Sequence, residues 1–190
     1  MRINWKKLFE VEQKQFSRMC ERDKYVYFLL LQFRTPYLWG KELPTGADCS
    51  GAVCLALAAA TGKVIRTTSN ELYRKFFTKR NPGVNDIQAV FFISQHDRKH
   101  GERVLRAGEV GHVAGVIAEG AVMNMSAPLS DIRLMVSIRN SYSLIGYDMV
   151  IRGLDRQALE ESAEAGEDLF GLDAEFADYI EMEKEPAGIW

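Results

Sequence analysis

The chain has 190 residues, of which 47% are hydrophobic and 26% are charged. This length and composition predict one globular domain with a substantial core, and they exclude a chain that is mostly disordered. No apolar run is long enough to span a membrane, and the three cysteines argue against a disulfide framework. The first 20 residues are charged and lack a signal-peptide core, so we expect synthesis in the cytoplasm without a Sec signal.

The net charge of −2 is unevenly distributed along the chain. Residues 1–154 contain 22 Lys/Arg and 14 Asp/Glu, whereas residues 155–190 contain 2 and 12. We therefore predict a basic domain, residues 1–153, followed by an acidic C-terminal extension, residues 154–190. A basic domain attracts anionic polymers. Nucleic acid is one such polymer, but no nucleic-acid motif accompanies the charge, so we predict neither a nucleic-acid nor a membrane partner.

The predicted elements are helices followed by strands. The helix candidates are the apolar segment Tyr25–Phe33, residues 49–60, and a segment around Ser69–Phe77. The strand candidates are Ala89–Ile93, Val113–Ala118, Ala121–Met125, Leu134–Ile138 and Tyr147–Ile151. Helices grouped before strands indicate an α+β fold, in which helices pack on a central antiparallel β-sheet.

A cysteine begins the predicted helix of residues 49–60. Asp48 suits the N-cap, because its carboxylate can accept a hydrogen bond from a first-turn N–H, and Gly62 suits a left-handed C-cap. At a helix N-terminus the unpaired N–H groups and the helix dipole favour a thiolate, so Cys49 is a candidate nucleophile. Its own backbone N–H is then a candidate donor to an oxyanion.

Each cysteine has an alternative interpretation as a small, buried apolar side chain. We favour that interpretation for Cys20 and Cys54. Cys54 lies five residues after Cys49 and therefore points to a different side of the same helix. For Cys49 the choice between the two interpretations depends on a base that the fold brings close to its sulfur.

His112 is the candidate base among the three histidines. It opens an apolar run that predicts a core strand, where a histidine can meet a thiol at a helix start. A histidine that is merely hydrogen-bonded at a strand end is the alternative. Asn124 is an isolated polar residue in the next strand and suits the orientation of a catalytic ring. His96 and His100 lie in a charged segment that we interpret as a solvated loop without a metal site.

These residues resemble the motifs of the NlpC-type cell-wall cysteine peptidases, a papain-like family. The matching blocks are Pro-Tyr-Leu-Trp-Gly at 36–40, Asp-Cys-Ser-Gly at 48–51 and His-Val at 112–113. Asn124 falls where the family has its third polar residue. The resemblance covers roughly residues 25–152, and its most specific part is the Asp-Cys-Ser-Gly block.

The resemblance implies a peptidoglycan hydrolase without a cofactor. Such an endopeptidase cleaves the stem peptide, typically between D-glutamate and a diamino acid. The implied catalytic roles are nucleophile for Cys49, general base and acid for His112, and orientation of the ring for Asn124. The substrate-binding residues that we assign are Tyr37, Trp39, Asp48 and Ser50. For Tyr37 and Trp39, packing in the core is the alternative.

The chain departs from the family pattern in ways that bear on specificity. Lys41 and Ala114 stand where the family usually has glycine. The segment 94–111 is strongly charged and longer than a simple connection, so we predict that it forms a lid or a wall of the substrate groove.

The spacing of His112 and Asn124 requires an irregular strand pair. A plain two-residue turn at 119–120 would place the two side chains on opposite faces of the sheet. We therefore predict a β-bulge, for example at Gly115, or a three-residue loop.

Two other functions stay open at this stage. An amidase, or a hydrolase of another amide or thioester, would keep the same residues and cleave a different bond. A non-catalytic phage tail or assembly module would keep the fold for binding. An enzyme made in the cytoplasm would reach the cell wall as a phage-type lysin after release, on a phage particle, or by dedicated export as an antibacterial effector.

The acidic extension has an apolar stripe at helical spacing, formed by Leu172, Phe176, Tyr179 and Ile180. We predict that this helix docks on its own domain. In the alternatives, it covers the basic groove and restrains the enzyme, or it binds a protein partner.

Overall fold

The computed structural model describes residues 14–43, 45–100 and 103–162. The strands are β1 Glu42–Leu43, β2 Gly46–Ala47, β3 Gln88–Ser94, β4 Arg98–His100, β5 Arg103–Leu105, β6 Val110–Ala118, β7 Ala121–Asn124, β8 Asp131–Leu134 and β9 Tyr147–Gly153. The helices are α1 Glu21–Leu31, α2 Cys49–Thr61, α3 Ser69–Glu71 with a following π-helical turn Leu72–Phe76, α4 Met135–Ser143 and α5 Arg156–Ser162.

Five strands form a central antiparallel sheet in the order β8-β7-β6-β3-β9. One face packs against α1, α2 and the π-helical turn, around Leu29, Val53, Phe77, Phe91 and Val113. The other face packs against α4 and β5, around Val90, Phe92, Leu105, Val122 and Ile138. Alternate side chains of β3 and β6 thus enter opposite cores. The predicted α+β class with helices on an antiparallel sheet is confirmed.

The helix α2 begins and ends where the sequence predicts. Asp48 is its N-cap, and one carboxylate oxygen accepts the Gly51 N–H at 2.8 Å. Gly62 ends the helix in the left-handed region, at φ 71°, and its N–H donates to the Ala58 carbonyl at 2.8 Å. The small side chains of this helix allow it to be buried along most of its length, between α1 and β6.

One predicted strand, Leu134–Ile138, is wrong. The strand β8 ends at Leu134, and the following residues form the helix α4. Met135, Ile138 and Tyr142 are spaced by three and four residues and pack together on the sheet, whereas Val136 is exposed. The buried side chains of this segment therefore follow the spacing of a helix. A short apolar run is compatible with a strand or a helix, and only the sheet surface that it covers decides between them.

The N-terminal part of the described chain is more exposed than its composition predicts. Tyr25 and Leu29 of α1 are buried, but the predicted buried segment also includes exposed side chains at Leu30, Leu31 and Phe33. The prediction that Cys20 is buried is wrong, because it precedes α1 at the surface.

Within the described ranges, no helix is long and apolar enough to cross a membrane.

The charged segment between β3 and β6 contains a strand pair. The interpretation of this segment as a solvated loop is wrong for part of its length, because β4 and β5 pair antiparallel within it. His96 is exposed before β4, and His100 is the last residue of that strand. Arg106 and Asp97 form an ion pair of 2.7 Å that joins the two ends of the insertion.

The start of the acidic extension packs on the domain. Leu159 of α5 is fully buried, Arg156 forms an ion pair with Glu21 at 2.7 Å, and Thr78 donates to the Asp155 carboxylate at 2.8 Å. The predicted apolar stripe lies outside the described residues. Its docking, its possible protein partner and the domain boundary at 153 stay predictions.

Candidate active site

A bulge in β6 places His112 and Asn124 on the same face of the sheet. Gly115 pairs with Met123, and the register shifts beyond Val116. Asn124 therefore lies opposite the residue before Gly115, which shares a face with His112. The predicted β-bulge is confirmed, and it follows Val116 instead of lying at Gly115.

His112 and Asn124 are joined by a buried hydrogen bond of 2.8 Å between Nε2 of the ring and Oδ1 of the amide. The amide nitrogen of Asn124 donates to Ser126 Oγ at 2.9 Å and to the Asp131 carboxylate at 3.0 Å. A carboxylate only accepts hydrogen bonds, so it fixes the amide orientation and leaves the oxygen facing His112. The Nε2 atom therefore donates this hydrogen bond, which leaves Nδ1 to accept a proton whenever the ring is neutral.

The sulfur of Cys49 is at the start of α2, with the side chain only 8% exposed. Burial and the neighbouring Asp48 carboxylate raise the pKa of the Cys49 thiol to about 12. The backbone N–H groups of Val113, Ser50 and Cys49 itself point at the sulfur and lower that pKa in part. The N–H donors at the helix N-terminus thus favour the thiolate as expected, but desolvation outweighs their effect. The thiol needs a base.

The Cys49 sulfur lies beside the strand β6, which carries His112. The sulfur contacts the backbone N–H of Val113, the residue that follows His112. The side chain of Tyr142 stacks on the His112 ring, at 5.3 Å between centroids and 16° between planes. Burial and Cys49 together raise the pKa of the Tyr142 hydroxyl, which places that ring beside the sulfur as well. The candidate nucleophile and the candidate base therefore lie in the same region of the fold, and their catalytic roles stay predictions.

Asp48 fastens the segment before α2 to the start of the helix. One carboxylate oxygen accepts from the Ser50 hydroxyl at 2.9 Å, and the other accepts from the Gly40 N–H at 2.9 Å. The Asp48 N–H donates to the Lys41 carbonyl at 3.0 Å. The predicted capping by Asp48 is confirmed. A role of Asp48 and Ser50 in substrate binding stays a prediction.

Gly51 is required by a close approach of two backbone segments. A β-carbon at this position would lie 2.2 Å from the Lys41 carbonyl oxygen. We expect Gly51→Ala to lower the free energy of unfolding by roughly 1–2 kcal/mol, because overpacking costs about 1–3 kcal/mol and better helix propensity returns at most about 1 kcal/mol. Urea unfolding measures the change.

Gly83→Ala is the matched control for this prediction. A β-carbon at Gly83 would meet its nearest neighbour at 3.6 Å, which is ordinary contact. We expect this variant to unfold like the wild type. Equal stability of Gly51→Ala and Gly83→Ala would contradict the steric argument.

The cleft has a volume of about 290 Å³. Its lining residues are Tyr37, Arg98, Lys99, Gly111, His112, Tyr142, Ile145 and Tyr147. The helix α4 and the insertion between β3 and β6 thus both contribute side chains to the wall. Arg98, Lys99 and Gly111 of the segment 94–111 line this cleft. That the segment forms a lid or wall of a substrate groove stays a prediction.

Tyr37 and Trp39 differ in position. Tyr37 is half-buried in the cleft, where burial and the neighbouring Cys49 raise the pKa of its hydroxyl. Trp39 is 65% exposed, so its indole does not pack in the core. A contact of either residue with substrate stays a prediction.

The other cysteines differ from Cys49 in their surroundings. Cys54 is buried as predicted, and burial together with Glu42 raises the pKa of its thiol. Cys20 is exposed. In the part of the chain that the structure describes, no group of three or more His, Cys, Asp or Glu side chains is arranged to hold a metal ion.

No protein-family model and no curated protein matches the sequence. Solved structures match the fold. An NLP/P60 family protein from Staphylococcus aureus, described as similar to a lipoprotein, aligns with 70% of this chain at 18% identity and a TM-score of 0.51. An NlpC/P60 family protein from Bacillus cereus aligns with 70% at 19% identity and a TM-score of 0.50. The chain has an NlpC/P60 fold. It spans only 41% and 40% of those two chains.

The NlpC/P60 fold confirms the predicted papain-like class. The NlpC/p60 domain of the peptidoglycan hydrolase SagA also aligns, over 67% of this chain and 95% of that domain, at 18% identity and a TM-score of 0.45. Within the NlpC/P60 fold of this chain, Cys49 begins the helix that packs on the sheet, and His112 lies in the central strand β6.

Three residues of the site escape sequence reasoning. Ser126 and Asp131 hold the Asn124 amide, and Tyr142 stacks on His112. The signal for Asp131 is its place as a lone acidic residue at the start of a strand. No signal marks Tyr142, because the start of its helix was predicted to be the strand Leu134–Ile138.

Proposed function

We propose that this protein is a cysteine endopeptidase that cleaves the stem peptide of peptidoglycan between D-glutamate and a diamino acid. The observation that carries the proposal is the 2.8 Å hydrogen bond from His112 to Asn124, in the strand whose next residue, Val113, contacts the Cys49 sulfur through its backbone. The NlpC/P60 fold and the Tyr-Leu-Trp-Gly and Asp-Cys-Ser-Gly blocks support the choice of substrate.

In the proposed first step, His112 acts as a general base. Its Nδ1 atom takes the proton from Cys49 Sγ, and the sulfur attacks the carbonyl carbon of the scissile amide. Asn124 accepts a hydrogen bond from Nε2, which keeps the proton on that nitrogen and stabilises the imidazolium that forms. The oxyanion of the tetrahedral intermediate accepts a hydrogen bond from the Cys49 N–H.

In the second step, the imidazolium of His112 donates its proton to the leaving amine, and the C–N bond breaks. A thioester on Cys49 remains. Water then attacks the thioester while His112 accepts its proton, and the proton returns to the sulfur as the carboxylic acid product leaves. The cycle is balanced without a cofactor.

The remaining assigned residues bind substrate in this proposal. Tyr37 provides an aromatic surface in the cleft, Trp39 provides an exposed one two residues further along the chain, and Asp48 and Ser50 are the chain neighbours of the nucleophile. The basic character of residues 1–154 favours contact with an anionic wall polymer. Delivery to the wall by release, by a phage particle or by dedicated export is the prediction that accompanies the proposal.

Digestion of purified peptidoglycan tests this function. We expect the protein to release peptides that mass spectrometry identifies as cut between D-glutamate and the diamino acid. Protein pretreated with iodoacetamide is the control and should release none, since the reagent consumes the thiol. Release of different fragments by the active protein would show that it cleaves another bond, as an amidase does. No release by the untreated protein would favour the binding-module alternative.

A further inference from the structure

Arg98 is fixed at the mouth of the cleft by neutral groups. Its Nη1 atom donates to the Ile145 carbonyl at 2.6 Å, and its Nη2 atom donates to the Gly146 carbonyl at 3.0 Å. The guanidinium carbon lies 4.2 Å from the centre of the Tyr147 ring. Two carbonyls and a ring thus hold a long, flexible side chain in one orientation.

The charge of Arg98 has no counter-ion among the described residues. The nearby carboxylates are engaged elsewhere, since Asp97 pairs with Arg106 at 2.7 Å and Asp148 accepts from the Gln95 amide at 2.8 Å. The Arg98 Nε atom is buried and has no hydrogen-bond acceptor within the described structure. A cationic group that is half-buried with donors to spare is costly unless an anion compensates it.

The chain is shaped to keep Arg98 in this position. Gly146 has a φ of 76°, which disfavours other residues, and a β-carbon there would lie 2.8 Å from Arg98 Nη2. A larger residue would therefore displace the guanidinium. Glycine is therefore favoured at position 146 for two reasons, the positive φ of the turn and the space that the Arg98 guanidinium occupies.

Arg98 is connected to His112 by a row of aromatic rings in contact, of which Tyr147 and Tyr142 meet edge-on and Tyr142 and His112 stack. The Tyr147 ring lies 5.6 Å from the Tyr142 ring, and Tyr142 lies 5.3 Å from the His112 ring. Arg98, Lys99 and His112 line the same cleft. The Arg98 side chain therefore lies in the wall of the cleft that also contains the candidate base.

We infer that Arg98 forms a subsite for a carboxylate of the substrate beside the scissile amide. The inference rests on the proposed function and deepens it. A planar guanidinium with free N–H groups suits a carboxylate better than any neutral group does. The stem peptide offers carboxylates on both sides of the proposed bond, on the D-glutamyl residue and on the diamino acid. Arg98 therefore selects carboxylated over amidated stem peptides.

Three peptides test this subsite. The first has both carboxylates, the second has the D-glutamyl carboxylate converted to a carboxamide, and the third has lysine in place of diaminopimelate. We expect one of the last two to show a kcat/KM about 10- to 100-fold below that of the first, which is the range for one charged hydrogen-bonding partner. Which peptide loses activity identifies the carboxylate.

In Arg98→Gln, the preference for that carboxylate should disappear, through a higher KM for the first peptide and an unchanged kcat/KM for the peptide that lacks the group. Misfolding would lower all three values together. Arg98→Lys should keep part of the preference. Arg106→Gln removes an equal charge from the same insertion, at an exposed ion pair, and should keep all of it.

Binding separates failure of this inference from failure of the proposed function. Calorimetry with Cys49→Ala protein measures the affinity for the first two peptides and for the lysine peptide without turnover. Equal kcat/KM for all three peptides in the wild type would overturn the carboxylate subsite and leave the endopeptidase intact. If the wild type cleaves none of them, the proposed function fails, and carboxylate-selective binding that Arg98→Gln abolishes would still support the subsite.

Discussion

Replacing Cys49 with alanine is expected to lower kcat for stem-peptide cleavage on the order of 10⁶-fold, the scale seen when a peptidase loses its nucleophile. No other thiol can substitute, because Cys54 is buried and faces another side of α2. The fold should tolerate the change, since the alanine side chain is small and suits the helix. Release of a chromogenic amine from a stem-peptide substrate measures the loss.

Cys54→Ala is the matched control for the nucleophile. It removes the same group from the same helix, and we expect it to retain activity while it lowers the unfolding temperature slightly. Cys20→Ala changes an exposed cysteine and should alter neither property. If Cys49→Ala folds like the wild type and still cleaves the peptide, Cys49 is not the nucleophile and the mechanism is wrong.

Replacing His112 with glutamine is expected to lower kcat/KM by about 10²- to 10⁴-fold, which is the usual contribution of a general base. The physical reason is the pKa of about 12 that burial and Asp48 give the Cys49 thiol. At neutral pH such a thiol is almost entirely protonated, so the sulfur is a nucleophile only when His112 accepts its proton. His96→Gln changes an exposed histidine and is the matched control.

Alkylation measured against pH distinguishes this role from a structural one. In a Cys20→Ser background, Cys49 of the His112→Gln variant should react with iodoacetamide about tenfold faster for each pH unit, as the thiolate fraction grows toward a pKa of about 12. With His112 present, the reaction at pH 7 should be faster than in the variant. Identical pH profiles for the two proteins would exclude proton transfer from Cys49 to His112.

Local sequence patterns predict the elements that depend on local interactions. Asp48 and Gly62 mark the ends of α2, because capping needs only side chains and backbone angles close in sequence. The strands around His112 and Asn124 follow from apolar runs. The bulge follows from the requirement that these two side chains lie on the same face of the sheet. The α+β class follows from the order of helices and strands.

Patterns that depend on distant contacts lead to errors. Met135–Ser143 folds as a helix because one face covers the sheet, and the apolar run at Leu134–Ile138 does not reveal that face. The exposure of Cys20 likewise depends on which side of the domain α1 presents to solvent. Such outcomes are decided by packing, which single-sequence periodicity does not contain.

By itself, the sequence determined the class of fold, the helix that begins at Cys49, and the pairing of a thiol with His112 and Asn124 as the candidate site. The tertiary structure alone decided the electrostatics of that site. Burial raises the pKa of the Cys49 thiol against the effect of the helix terminus, and Asp131 fixes the amide that orients His112. Desolvation and long-range hydrogen bonds depend on residues that meet only when the chain is folded.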